Sequence, residues 1–465
     1  MVAAVVVLAA GEGKRMHSAT PKVLHEICGR SLLAHVLAAV EPLHPQRTLV
    51  VIGHGRDEVA ATLPESVTPV VQDDQRGTGH ATRLALEAAP DVDGTVLVLY
   101  ADMPLLTIET LTRLLDAHAG PATVLTAEYA DPTGYGRIVR DLGGHVTAIV
   151  EERDATPGQR TIPEINTGVY VFEAATLRAE LAKLSDNNVQ GEEYLTDVIG
   201  QLVGRGEPVA TVTAQDPAET VGVNDRAQLA AAGTALNQRL IRNAQLQGAT
   251  IVDPATTWLD ATVRLEPDAT VGPFSILRGA TTVAGQARVG PYAHLIDTSV
   301  GAGAIVTTAT ADGAEIGPEA TVGPYTYLRP GTRLARGAKA GGFVEMKNTT
   351  VGEGSKVPHL SYVGDTTIGE GTNVGAGTIT CNYDGTEKSP TEIGDDVFVG
   401  SGTMLVAPVS LGDGSYVAAG SVITDDVPPD ALGVGRAQQT NKQGWAARRR
   451  KPTDSKPDED QGEQP

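Results

Sequence analysis

Apolar residues follow two different rhythms along this chain, and the change falls near residue 249. Up to about residue 226, short β-branched runs alternate with stretches of helical pattern. The runs over 4–8, 48–52, 95–100 and 122–128 predict strands, and the stretches over 32–41, 78–89 and 107–118 predict helices. This alternation implies an α/β fold with a Rossmann-like, mostly parallel sheet, and it places ligands at the carboxyl ends of the strands. Residues 225–247 have helix-forming composition and read as a connecting helix.

Beyond Gly248 an aliphatic residue recurs at every sixth position. One series is Val271, Leu277, Val283, Val289 and Leu295; a second is Ile316, Val322, Leu328 and Leu334. The beat returns at Val351, Val357 and Val363, then at Ile368 and Val374, and closes with Ile393, Val399, Leu405, Leu411, Val417 and Ile423. Many of these residues precede a glycine. The pattern predicts a parallel β-helix of hexapeptide repeats, with one inward aliphatic side chain per hexad and about 18 residues per coil. The beat breaks over 381–391, which predicts a loop projecting from a coil corner. The expected organisation is an α/β domain over 1–226, a linker helix over 227–248, a β-helix over 249–440 and a terminal segment over 441–465. That segment is almost free of apolar residues from about 448 and is expected to be disordered there.

Composition narrows the function. The 465 residues carry 36 Lys and Arg against 57 Asp and Glu, a formal charge of −21, which disfavours nucleic acid and anionic membranes as partners. Any phosphate must be held by a few local cations and backbone N–H groups. Cys28 and Cys381 are the only cysteines, which excludes a disulfide framework and Cys-based zinc motifs. The apolar start runs directly into Gly11-Glu12-Gly13-Lys14 without a basic leader, so it reads as a first strand and not a signal peptide. No apolar run approaches a membrane span. The expectation is a cytoplasmic chain with no membrane insertion.

The first expected strand ends in Leu8-Ala9-Ala10-Gly11-Glu12-Gly13-Lys14-Arg15-Met16, followed by Pro21-Lys22. A dinucleotide fingerprint would need a glycine in place of Met16, and a phosphate-binding P-loop a glycine at Leu8 and a hydroxyl residue at Arg15. What remains is a Gly-rich turn with two nearby cations, suited to a polyphosphate. Asp102 follows an apolar run at the position where an α/β enzyme places a metal ligand. A hard Mg²⁺ accepts few protein oxygens and keeps its waters and the substrate's phosphates.

Taken together, Leu-x-x-Gly-x-Gly-x-Arg-Met…Pro-Lys resembles the signature of sugar-phosphate nucleotidyltransferases. Gln72…Gly77-Thr78-Gly79-His80, Tyr100-Ala101-Asp102, Gly134-Tyr135-Gly136-Arg137, Glu151, Glu164-Ile165-Asn166-Thr167-Gly168 and Gly222-Val223-Asn224 match one branch of them. With the hexapeptide region behind it, the chain to about Trp445 resembles the family of bifunctional N-acetylglucosamine-1-phosphate uridylyltransferase/glucosamine-1-phosphate acetyltransferases. Lys14, Ala101 and Pro358 depart from that pattern.

The resemblance implies a left-handed β-helix, a homotrimer, and two reactions that make UDP-N-acetylglucosamine, a precursor of peptidoglycan and other cell-envelope polymers. In the first half it implies a site for UTP and the sugar nucleotide from Leu8, Ala9, Ala10, Gly11, Lys22, Gln72, Gly77, Thr78, Tyr100, Ala101, Asp102, Gly136, Glu151, Asn166 and Asn224. Of these, Asp102 and Asn224 would ligate Mg²⁺, and Lys22 with Arg15 would stabilise the transferring phosphoryl group. In the second half it implies His359 as the general base, and Arg329, Lys347, Tyr362 and Asn373 as the clamp for glucosamine-1-phosphate. Ala376, Asn382, Tyr383, Ser401, Ala419 and Arg436 would then serve acetyl-CoA, the Asn382/Tyr383 loop also reaching the sugar and Ala376 N–H being a candidate oxyanion donor. Two other readings stay open on the residues alone. One is a monofunctional nucleotidyltransferase whose β-helix only assembles the oligomer. The other is a non-catalytic sugar-nucleotide sensor, which would have no need of Lys22, Asp102 and Asn224 together.

Overall fold

The computed structural model describes residues 2–188 and 190–450. The chain falls into two compact units, the first ending at Ala320 and the second beginning at Thr321.

The first unit opens with a sheet whose main path is Val209–Thr213, Ala122–Glu128, Glu164–Glu173, Thr95–Tyr100, Val2–Ala9, Arg47–Ile52 and Val67–Val71. All neighbours on this path are parallel except those of Glu164–Glu173. Val2–Ala9 lies at its centre and every one of its residues is buried. Its side chains alternate between two cores: Val5, Val7 and Ala9 face one, and Ala4, Val6 and Leu8 the other. A central parallel strand covered on both faces reads as an unbroken apolar run, which is why the sequence signals it so clearly. The helices begin where a side chain caps them. Ser31 accepts from Ala34 N before Leu32–Val40, Thr107 from Thr110 N before Ile108–Asp116, and Asp225 from Gln228 N before Arg226–Leu246. The expected helices over 107–118 and 225–247 therefore start one residue early, on their own caps.

The helix Arg226–Leu246 is not a free spacer. Asn237 is buried, donates to Thr257 O at 2.8 Å and accepts from Leu259 N at 2.9 Å, so it fastens the helix to the first coil. Three parallel strand columns then follow in this unit. Their register steps are 18 residues from Val271 to Val289 but 17 from Val289 to Val306, and 16 from Leu295 to Ala311. Shortened coils are why the six-residue beat loses phase between Leu295 and Ile316.

In the second unit the same coil geometry continues, with the inward Val351, Val357, Val363, Val374 and Val399 all at or below 1% exposure. Gly375 shows why corners are small: a Cβ there would stand 2.5 Å from Ser401 N on the next coil. Between Asn373 and Phe398 the register step grows to 25 residues. The surplus forms the expected inserted loop, closed by a bridge between Tyr383 and Lys388 and by Ser389 N donating to Asn382 O at 2.9 Å. Parallel strands at hexapeptide spacing are consistent with a left-handed β-helix. The tail expected to be disordered from about 448 is helical as far as Arg449, whose guanidinium lies 4.8 Å over the Trp445 ring. From 451 onward it lies outside the described residues.

Candidate active sites

At the carboxyl ends of the first unit's strands lies a cavity of about 300 Å³. Leu8, Ala9, Ala10, Gly11, Lys22, Gln72, Gly77, Thr78, Tyr100 and Asp102, all among the residues named above, line it. A larger groove of about 500 Å³ along Leu33, Leu37 and Pro64 contains none of the expected site residues.

The glycines of the first turn have distinct tasks. Gly13 is left-handed (φ 64°), and a Cβ there would stand 2.6 Å from Lys22 Cβ. Its bareness lets the Lys22 stem pass toward the cavity. Lys22 Nζ reaches Asp102 Oδ2 at 2.5 Å and Asn224 Oδ1 at 3.3 Å. Three residues separated by up to 202 positions thus converge on one point. The ammonium sits between a carboxylate and an amide oxygen, the hard donor pair that suits Mg²⁺. Arg15 is placed differently: it lies in the short turn Lys14–Met16, exposed, and does not line the cavity. Left-handed residues, Gly13 and His17, bound that turn. Lys14 also faces solvent and pairs with Glu12 at 2.9 Å. Ala101 is fully buried among the core residues beneath the site and contributes no side chain to the cavity.

Behind Tyr100 lies a second group. Gly136, Glu151 and Asn166 are neighbours, since a Cβ on Gly136 would be 3.5 Å from both Asn166 Cβ and Glu151 Oε1. Gly168, left-handed at φ 85°, leaves room for the Tyr100 ring, which any side chain there would strike. Asn166 Nδ2 donates to the Tyr170 hydroxyl at 2.7 Å. Burial raises the Glu151 carboxyl above its ordinary range, with Asp154 and Asp197 adding to the rise and a Thr196 hydroxyl at 3.3 Å opposing it. A polar, partly dehydrated pocket of this kind suits sugar hydroxyls. Gln75 and Glu192 also line the cavity and were not foreseen; Gln75 donates to Ala10 O at 2.7 Å. Both are lone polar residues in loops, and nothing in their local pattern marks them.

In the second unit the expected residues form two groups. Arg329 N donates to Met346 O, and Lys347 is in register with Gly364, so Arg329, Lys347 and Gly364 follow one another on successive coils. A Cβ on Gly364 would lie 2.6 Å from the Tyr362 hydroxyl and 2.7 Å from Asn382 Nδ2, which therefore share its space. The Lys347 ammonium is lowered from its ordinary pKa by its neighbour Lys388, with Arg329 adding and Asp365 opposing. Lys388, from the inserted loop, was not singled out in the sequence because one lysine in a polar loop carries no signal. Burial works against the Asp365 carboxylate, but hydrogen bonds from Asn348 (2.9 Å) and Asn382 (2.5 Å) and the two lysines outweigh it and hold its pKa below the usual range. Arg329 pairs with Glu345 at 3.0 Å, so three cations stand against two carboxylates and leave one positive charge in excess, suited to a phosphate.

The other group is a column at one coil corner. His359 pairs in register with Gly342; Gly377 N donates to His359 O, Gly402 N to Ala376 O, and Gly420 N to Ser401 O. His359, Ala376, Ser401 and Ala419 therefore stack on consecutive coils, about 4.8 Å apart. The following residue takes a left-handed backbone each time: Leu360, then Gly377, Gly402 and Gly420. Arg436 follows the last strand of the series, Leu432–Gly433, and is exposed. Asn373 lies in register between Lys356 and Phe398. Tyr383 is exposed on the loop and donates to Gly385 O.

Residues 5–205 match the model of the MobA-like NTP transferase domain, and residues 390–425 that of the bacterial transferase hexapeptide, six repeats. The chain is 55% identical over 456 residues to Bifunctional protein GlmU of Streptomyces coelicolor, covering 96% of this chain and 95% of that protein. The protein of the same name from Corynebacterium efficiens is 50% identical over 457 residues, covering 96% and 94%. That from Mycolicibacterium gilvum is 51% identical over 459, covering 96% and 92%. The chain belongs to the GlmU family. Its α/β half is the nucleotidyltransferase part and its hexapeptide half the acyltransferase part, which excludes the monofunctional and sensor readings.

Proposed function

We propose that this GlmU-family chain makes UDP-N-acetylglucosamine at two separate sites. The hexapeptide half transfers acetyl from acetyl-CoA to glucosamine-1-phosphate, and the α/β half then transfers uridylyl from UTP to N-acetylglucosamine-1-phosphate. The observation that carries this reading is the near-full-length identity to proteins named bifunctional, joined to two assembled constellations in one chain.

In acetyl transfer the substrate's amine attacks the thioester carbonyl, an N–C bond forms, the C–S bond breaks, and CoA leaves as the thiol. His359 takes the proton from the ammonium. Arg329, Lys347 and Lys388 hold the phosphate, while Tyr362, Asn373, Asn382 and Tyr383 surround the sugar. Ala376, Ser401, Ala419 and Arg436 track the coenzyme along the coil corner. In uridylyl transfer a sugar-phosphate oxygen attacks the α-phosphorus in line, and pyrophosphate leaves with the electron pair of the breaking P–O bond. Lys22 neutralises charge on the α-phosphate, and Gln72, Gly77 and Thr78 read the uracil. Gly136, Glu151 and Asn166 hold the sugar. Asp102 and Asn224 present the oxygens to hold Mg²⁺, which when bound supplies charge neutralisation to the triphosphate. Arg15 reaches the phosphates only if its turn closes on them.

We place the nucleotidyltransferase domain over 1–226, the linker over 227–248 and the acetyltransferase domain over 249–440, in a cytoplasmic protein. Among the described residues, no helix is long and apolar enough to cross a membrane. The proposed assembly is a homotrimer, since regular β-helix faces suit cyclic packing. Sedimentation should give three chains per particle; a monomer that acetylates at full rate would refute the trimer. The function itself is tested by supplying glucosamine-1-phosphate, acetyl-CoA, UTP and Mg²⁺ and following free thiol and pyrophosphate separately. Both should appear, and pyrophosphate should depend on prior thiol release. Absence of either signal refutes the two-site reading.

A further inference from the structure

A buried carboxylate outside the catalytic set grips the loop that we assign to the nucleobase. Glu193 is 6% exposed at its side chain, and both of its oxygens are taken. Arg76 pairs with Oε1, and Arg83 donates to Oε2 at 2.9 Å and to Oε1 at 3.3 Å. The two arginines flank Gly77-Thr78 in sequence. The backbones are joined as well: Glu193 N donates to Arg76 O at 2.7 Å and Gly79 N to Glu193 O at 2.8 Å. Leu195 N donates to Thr78 Oγ1 at 3.1 Å. Gly77 is left-handed at φ 106°, and a Cβ there would stand 2.5 Å from Glu193 O. The same short segment also touches the rest of the site. Glu192 lines the cavity, and the Thr196 hydroxyl donates to Glu151 on the sugar side.

We propose that Glu193 is a positioning residue for base selection: its carboxylate, held between Arg76 and Arg83, fixes the height of Gly77 and Thr78 and so sets which pyrimidine fits against them. This rests on the assignment of those residues to the uracil. A charge buried between two guanidinium groups keeps its place only while both pairings last, and removing it leaves two cations facing each other. The loop's backbone bonds would survive, but its position would no longer be unique. Cytosine differs from uracil in one donor and one acceptor on the recognised edge. A loosened loop therefore loses discrimination before it loses the fold.

The test is equilibrium binding of UTP and of CTP in the presence of Mg²⁺ by the full-length protein, measured calorimetrically for wild type, Glu193→Gln, Glu193→Asp and Arg83→Gln. Acetyl transfer serves as the folding control. Glu193→Gln should weaken UTP about tenfold, the effect of one lost charged hydrogen bond, and CTP by much less, so the preference for UTP collapses. Glu193→Asp should recover part of it. Arg83→Gln, at a partly exposed helix position, should move the preference the same way and secures the result if Glu193→Gln does not fold. UTP and CTP weakened in equal proportion, a preference within twofold of wild type in the folded variants, or a wild type without preference would each overturn the proposal. Pyrophosphate release by wild type tests the two-site function separately.

Discussion

Acetyl transfer by His359→Ala protein should fall by about 10²–10⁴-fold, the usual contribution of a positioned base, while uridylyl transfer is unchanged. The geometry favours this specificity. His359 ends the strand Lys356–His359 and is exposed at a coil corner, so its ring is not part of the inward aliphatic stack that holds the coil together. Its backbone carbonyl accepts from Gly377 N and from the Ser361 hydroxyl, and both bonds persist whatever the side chain. Truncation should then cost little stability, and the melting temperature should stay within a few degrees of wild type. Only neutral imidazole can accept the ammonium proton, so the wild-type rate should climb with pH near neutrality and this limb should vanish in the variant. A histidine that merely packs at the corner would give the opposite pair of results: a lowered melting temperature and a small, pH-independent change in rate. An ascending limb retained in His359→Ala, with turnover within a few-fold of wild type, would remove the residue from the mechanism.

The column that contains His359 shows what the sequence makes legible. Inward aliphatics at fixed spacing reveal the coil because burial acts on each in the same way, and the register then brings residues 359, 376, 401 and 419 to one corner. The beat fails where coils change length, shortening at Leu295–Ala311, Leu334–Val351 and Val351–Ile368 and lengthening at Asn373–Phe398, and a change of loop length leaves no apolar mark. The candidate site residues were legible through short motifs resembling those of a family, and some of these motifs carry a glycine that the structure shows to be crowded: Gly13 beside Lys22, Gly77 beside Glu193, Gly168 beside Tyr100. Lys388, Gln75 and Glu192 have no such mark, and their placement beside the candidate sites arises only when the chain folds them against distant partners. Arg15 shows the converse: its motif is intact in the sequence, while the turn that carries it, bounded by left-handed Gly13 and His17, leaves it exposed. The composition shift near 249 marks where the repeat begins, whereas the first compact unit extends to Ala320; Asn237 bonds the helix Arg226–Leu246 to Thr257 and Leu259, and Gly233 O accepts from Cys28 Sγ at 3.6 Å.

Asp102→Ala should reduce pyrophosphate release by about 10²–10³-fold or more, with thiol release from acetyl-CoA continuing at the wild-type rate. Asp102 has two separable duties in the proposed mechanism. It is the carboxylate of the Mg²⁺ pair, and it accepts from Lys22 Nζ at 2.5 Å, so it also sets where that ammonium stands. Asn224 contacts the same ammonium at 3.3 Å and cannot replace a full charge. The fold should tolerate the change, because the link between this strand end and Gly222–Asn224 is made by backbone: Val223 N donates to Asp102 O at 2.8 Å. The Asp102→Asn variant separates the duties. An amide oxygen still accepts from Lys22, so if positioning of Lys22 were the whole role, activity should recover to within about tenfold and the Mg²⁺ dependence should match wild type. If the carboxylate holds the metal, Asp102→Asn should stay nearly as impaired as Asp102→Ala, and the Mg²⁺ concentration for half-maximal rate should rise. Thiol release is the internal control in both cases: folded, trimeric Asp102→Ala protein that loses both activities would contradict two independent sites. The pair of variants thus decides whether one carboxylate at the end of the strand Thr95–Tyr100 acts through a metal, through Lys22, or through both.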